Sequence, residues 1–406
     1  MPWISRGSPV NILFANYGQS DNNSAYHIVG FASGLAARGH DVCVAVAKSV
    51  PDGQFESVGG FRMASHRTAL KTGFTFADGR SADVLHVWTP RETMRLFASA
   101  HAAAWGHASL VVHLEDNEEA IFERFTGCSL EKACTLDEPW PKGLIHPVHY
   151  RGFLKSAQGV TMVHRCLEPL VPSELPRQEI VPVMDFRFFT NGGESHALRR
   201  ELGIAPTTRV VVFNGNDHAA AALDIRQLYE AVDLLIEEGM DLAFVRTGHV
   251  LPANYDGLHF RPGSRCHELG FVERGMVPEI MSLADVAVQP GDGDYFNAHR
   301  LPAKVPEYLA MGKPLVMGET NIGRELAAAD AALILPGMSP RQMADAIARL
   351  LNAPTETAAM AVRGREFARS RFSRDAVIPL LERFYQKCLP APAVTRPQVG
   401  SCQLRR

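Results

Sequence analysis

Paired cysteines are missing from this chain. Its seven cysteines, Cys43, Cys128, Cys134, Cys166, Cys266, Cys388 and Cys402, are scattered, odd in number and never in C-x-x-C spacing. That pattern argues against a disulfide framework and a structural zinc site, and for a reducing compartment. Long apolar runs are also missing: no stretch of about 18 apolar residues occurs, so nothing reads as a membrane span. The opening MPWISRGSPVNILFA holds too short an apolar run for a signal peptide, and the expected location is the cytoplasm. Charge of one sign is absent too, with 41 Lys and Arg against 44 Asp and Glu, a net charge of −3 and a pI near 6.6. A general nucleic-acid-binding surface is therefore not expected, and any affinity for phosphate must be local. No G-x-G-x-x-G stands at the first strand–helix turn, which weakens a dinucleotide-binding reading.

What is present is length and alternation. A chain of 406 residues that is 46% hydrophobic can bury two sizeable cores. Val10–Ala15 reads as a buried parallel strand, followed by a polar loop from Gly18 to Ser24. The apolar spacing of AYHIVGFASGLAARGH predicts a helix ending at Gly39, and DVCVAVA a second buried strand. Strand, loop, helix and strand make a βαβ opening. DVLHVWTP and SLVVHLED predict further strands, with a helix between them, and EIVPV another short one. His113 falls at the end of SLVVHLED, where ligands bind in open α/β sheets. Beyond it, the acids Glu115, Asp116, Glu118 and Glu119 read as a helix cap, Asp116 with Glu119, ahead of a metal site. Trp140–Lys155 mixes aromatic, basic and apolar residues. An irregular connection is the first reading of it, with acceptor docking or peripheral membrane contact as the alternatives. From RVVVFNGND onward the alternation restarts, through ALDIRQLYEAVDLLIEEG, DLAFVRTG and a short strand around Leu258–Phe260.

The most informative stretch is LPAKVPEYLAMGKPLV, Leu301–Val316. Pro302 suits a helix start, Gly312 a left-handed helix end, and Pro314 cannot continue the helix. Lys304 lies in the first turn, where a cation is unfavourable unless an anion sits in front of it. Glu307, one turn on, shares its face and can accept hydrogen bonds from sugar hydroxyls. A diphosphate and a ribose would account for both charges; a solvated ion pair is the plain alternative.

The run Pro302-x-Lys304-x-x-Glu307-Tyr308-x-Ala310-x-Gly312-Lys313-Pro314-x-Val316 resembles the donor-site signature of retaining glycosyltransferases of the GT-B fold, particularly glycosyltransferase family 4. LGFV at Leu269–Val272 and VPEIMSLADVAVQP extend the likeness, which covers most of Val10–Cys388. The family's fuller pattern has two glutamates; Glu307 matches the second, and the first falls on His299. Asn214–Ala222 also lacks the usual Arg and Lys for the donor diphosphate, leaving Lys304, Arg246 or Arg226 to supply charge, and Gly215 a close backbone approach.

The resemblance implies an α/β protein of two Rossmann-like domains facing across a cleft. Residues 1–185 would form an N-terminal Rossmann-like acceptor-binding domain. Residues 186–388 would bind the nucleotide-sugar, their last helix crossing back to the first domain, and 389–406 would be a disordered tail. It implies transfer of a sugar from a nucleotide-activated donor, with retention, without a metal or bound cofactor. The acceptor would be a glycan, a lipid-linked glycan or a small molecule. Lys304 would bind the leaving phosphate, Glu307 the ribose, His113 the acceptor, and Asn297 or His299 the donor sugar, with Gly18 and Gly215 near the phosphate. A nucleotide-sugar epimerase and a catalytically silent GT-B subunit stay open.

Overall fold

A computed structural model describes residues 9–71, 74–106, 108–190, 195–216, 221–250, 256–258, 265–294 and 297–390. The first sheet holds β1 (Asn11–Asn16), β2 (Asp41–Val46), β3 (Glu56–Val58), β4 (Phe61–Ser65), β5 (Val84–Trp88), β6 (Ser109–Leu114), β7 (Gly159–Met162) and β8 (Arg177–Glu179). Its order is β3-β4-β2-β1-β5-β6-β7-β8, parallel except for the β3–β4 pair. The second sheet is all parallel, in the order β11-β10-β9-β12-β13-β14. Its strands are β9 (Arg209–Asn214), β10 (Leu242–Thr247), β11 (Cys266–Glu268), β12 (Val286–Gln289), β13 (Leu315–Gly318) and β14 (Leu333–Leu335).

Continuous apolar runs make these strands because helices cover both faces of a parallel sheet. All six residues of β1 and all six of β10 are buried. Strand order reverses at β1, between β2 and β5, and at β9, between β10 and β12. Crevices at the carboxyl ends of strands open at such reversals. The loops after β1 and β9 therefore border the site.

Several local expectations are corrected. Ile180–Val183 is not a strand; the edge strand is the polar β8 just before it, and Ile180 and Val181 are buried in the passage between domains. The cap of helix Glu118–Thr126 is Asn117, whose Oδ1 accepts the Ala120 N–H at 3.0 Å, so Asp116 and Glu119 are not the capping pair. Within Trp140–Lys155, residues Tyr150–Lys155 are helical, and Ile145, Tyr150, Phe153 and Leu154 point inward. The short strand expected around Leu258–Phe260 and the expected tail fall largely outside the described residues, at His259, Phe260 and 391–406.

Two features join the domains. Helix Arg374–Cys388 follows the second sheet in sequence but packs on the first. Tyr385 Oη lies 2.8 Å from His86 Nδ1 in β5, and Ser109 Oγ of β6 donates to the Cys388 carbonyl at 3.0 Å. Gly159 makes room for it, since a Cβ there would meet Cys388 Sγ and Phe384 Cζ at 2.6 Å. Beside this helix, His164 Nδ1 accepts the Cys166 N–H at 3.1 Å, so Nε2 donates to Glu325 Oε1 at 3.0 Å. Arg371 then ties Glu325 (3.2 Å) to Glu179 of β8 (2.7 Å).

Candidate active site

Between the sheets lies a cavity of about 820 Å³, walled by residues of both domains. From the first come Tyr17 after β1, Ser24 and His27 of helix Asn23–Ala36, Arg91 after β5, and Glu115 and Asp116 after β6. From the second come Gly215 after β9, Arg274, Arg300, Lys304 and Glu307. A second cavity of about 600 Å³ adjoins it and shares Tyr26, His27, Arg274 and Glu307.

Lys304 opens helix Lys304–Ala310, which ends at Gly312 with φ +64°. Its ammonium lies 4.8 Å from the centre of the Phe213 ring, and a Cβ on Gly215 would sit 2.6 Å from Nζ. Lysine and glycine backbone thus meet at the end of β9. Glu307, one turn on, is 4% exposed. Burial raises its pKa, opposed by Arg274, whose Nη2 lies 2.5 Å from Oε1. Asn214 Nδ2 donates to the other oxygen at 3.2 Å, and Tyr308 Oη accepts the Asn214 N–H at 2.7 Å. Arg274 is held over the rings of Tyr26 (4.9 Å) and Phe189 (5.0 Å).

Across the cavity, Glu115 accepts from Ser24 Oγ and lies 2.8 Å from His27 Nδ1. Burial works against its charge, yet the close His27 ring and the bond from Ser24 leave its pKa lowered. Its neighbour Asp116 behaves oppositely: burial, then the carboxylates Glu115 and Glu118, push it up to about 8. Glu118 is taken by Arg91 at 3.0 Å, which stacks 4.1 Å over the Tyr17 ring. Two adjacent carboxyls are thereby held in different protonation states at neutral pH.

Of the residues singled out in the sequence, Lys304, Glu307 and Gly215 come together on one wall. The others stand elsewhere. His113 is 1% exposed beneath the cavity, its ring stacked on Trp88 with centroids 3.6 Å apart and Nδ1 2.9 Å from Thr161 Oγ1. Burial, with His86 and His27 nearby, holds its pKa well below the usual imidazole range. Arg246 is fully buried and donates to the carbonyls of Gly215 and His249, each at 2.8 Å. It braces the loops after β9 and β10. Arg226 pairs with Glu230 at 2.8 Å along its own helix. Asn297 is buried against Asp224 at 3.2 Å, and neither it nor His299 lines either cavity. Gly18 lies in the turn after β1, where a Cβ would strike the Asn22 side chain at 2.0 Å. It shapes the loop without lining the cavity. His27, Arg274 and Arg300 carry no local motif; only the fold brings them to the cavity. Among the described residues, no group of three or more His, Cys, Asp and Glu could hold a metal ion.

This two-sheet arrangement with its cleft is the GT-B fold. Residues 208–353 match the family described as glycosyl transferases group 1. Among solved structures, the chain is similar to sucrose-phosphate synthase from Thermosynechococcus elongatus. That match has a TM-score of 0.66 at 13% identity over 93% of this chain and 98% of the other. It is similar to Anabaena HepE, solved in complex with UDP-glucose (0.67, 14%, 93% and 100%). It also resembles WaaG, a glycosyltransferase involved in lipopolysaccharide biosynthesis (0.61, 15%, 92% and 98%). The comparison with curated proteins gave no match. Among the described residues, no helix is long and apolar enough to cross a membrane.

Proposed function

We propose that the protein transfers a glycosyl group from a nucleotide-activated sugar to an acceptor hydroxyl, with retention of configuration and without a metal ion. The observation that carries this reading is the wall formed by Gly215, Lys304 and Glu307 at the carboxyl end of β9, inside an interdomain cavity large enough for both substrates. The diphosphate lies against Gly215 and Lys304, and the ribose hydroxyls take the Glu307 carboxylate. Arg274 now occupies that carboxylate, so donor binding releases a guanidinium beside the phosphates. Lys304 and Arg274 then neutralise the charge that grows on the departing diphosphate, the largest electrostatic demand of the reaction. They take the part of the basic pair that Asn214–Ala222 lacks. The N-terminal wall, with Glu115, Asp116 and Arg91, receives a sugar acceptor, free or lipid-linked.

Anabaena HepE was solved with UDP-glucose, which makes uridine sugars the first donors to test. Thermal melting with UDP-, GDP-, ADP- and dTDP-sugars should single out one nucleotide. A transfer assay then reports the anomeric configuration of the product by NMR and its insensitivity to EDTA. No melting shift with any of them would refute the reading, and an inverted product or loss of turnover in EDTA would refute its finer parts.

A further inference from the structure

The charged groups of the larger cavity lie deep, and apolar side chains stand where it meets solvent. Glu307 is 4% exposed, and the side chains of Glu115 and Arg91 are 13% and 15% exposed. Phe125 and Phe271 border the same cavity and are each 76% exposed. They come from opposite domains. Phe125 lies near the end of helix Glu118–Thr126, which is anchored by the buried Phe122, its ring 5.1 Å from that of Trp140. Ile121, four residues before Phe125 and on the same helical face, borders the cavity with it. Phe271 and Val272, after β11, border it from the other side. One exposed phenylalanine is ordinary on a protein surface; two on the walls of one cavity make an apolar lining.

We propose that the acceptor carries an apolar aglycone, which lies on Ile121 and Phe125 while its sugar lies inward, by Glu115 and Asp116. This names the acceptor class of the glycosyl-transfer reading above and rests on that reading. The stripe belongs to the helix that follows Glu115 and Asp116 directly in the chain, so apolar and acidic parts share the first domain's wall. Gly215, Lys304 and Glu307 stand on the second domain's wall, which assigns the stripe to the acceptor and not to the nucleobase. An apolar chain seated there removes water from the exposed rings, whereas a free sugar leaves them wet.

Calorimetry on the full chain tests this, with UDP, GDP, ADP or dTDP present and methyl, hexyl and octyl β-D-glucosides and β-D-galactosides titrated below their micelle-forming concentrations. A buried methylene strengthens binding about fourfold, so an octyl glycoside only partly enclosed should bind at least about tenfold tighter than its methyl counterpart. F125A should bring that ratio within about threefold, and F125L, which keeps an apolar side chain, should hold most of it. Phe125 is exposed enough that neither variant should lower the melting temperature. F55A, at an exposed phenylalanine that borders neither cavity, should keep the whole ratio. Absent or equal binding of octyl and methyl glycosides, or a full ratio in F125A, would overturn the apolar aglycone and leave the transfer reading intact. A loss of nucleoside diphosphate affinity in F125A would give the ring to the nucleobase and overturn it equally. A wild-type protein that binds none of the four nucleoside diphosphates would overturn both readings.

Discussion

Glu307 and Arg274 form an ion pair, 2.5 Å apart, on the wall of the cavity that the proposed reading gives to the donor. Glu307→Gln removes a charged acceptor for the ribose and for Arg274. Losing a hydrogen bond to a charged group costs about 1.5–3 kcal/mol, so donor affinity measured by calorimetry should fall about 10- to 150-fold in a folded variant. Lys304→Ala should lower kcat more than it weakens donor binding, since the charge it meets grows only as the diphosphate departs. Equal losses in kcat/KM and affinity would make it a ground-state contact. Asp116 gives a pH signature. Its folded carboxyl, raised by burial to about 8, keeps its proton where the unfolded chain has lost it, from about pH 4 upward. The folded state binds more protons in that window, so stability declines as pH rises through it. Asp116→Asn should melt above the wild type at pH 8 and level with it near pH 4. Lys304 and Glu307 were legible in the sequence because one helical turn sets their relation. The His27–Glu115 and Arg274–Glu307 pairs were not, because each joins separate elements that only the folded chain brings together.

The elements were legible where physics is local. Runs such as VVVF and LAFV are apolar throughout, which parallel strands under helices on both faces require. The same signal misled at Ile180–Val183: Ile180 and Val181 are buried where the chain leaves β8, and only the Ile180 N–H still reaches β7, donating to the Met162 carbonyl at 2.8 Å. The polar β8 beside it has no apolar signature, because an edge strand needs none. Under the glycosyl-transfer reading, donor binding depends on the turn that leaves β9 at Gly215. Gly215 lies outside the left-handed region, so its backbone tolerates alanine, but the added methyl would displace the Lys304 ammonium and press on Phe213 Cζ at 3.1 Å. Gly215→Ala should therefore weaken donor binding severalfold with little change in melting temperature. A variant that loses stability and keeps its donor affinity would separate the loop from the site.

At the scale of the molecule, the two domains are fastened by His164, Glu325, Arg371 and Glu179. The bond from His164 comes first among the causes that, against burial and with Arg371, hold the Glu325 carboxyl down near 2. Its stabilisation is complete above about pH 4.5 and is lost as pH falls through about 2. Glu325→Gln should melt lower than the wild type at pH 6, with the gap closing toward pH 2 in calorimetry. Helix Arg374–Cys388 has a consequence of a different kind, in time rather than energy. Residues Asn11–Glu179 leave the ribosome some 200 residues before the helix that covers β6 and receives His86. Domains ordinarily fold as they emerge, the N-terminal one first. Here the first sheet must wait through synthesis of the entire second domain with part of its apolar face uncovered. The second domain can close early, the first only near the end of translation. A nascent chain stalled before Arg374 would accordingly be cut by protease in its first half and spared in its second.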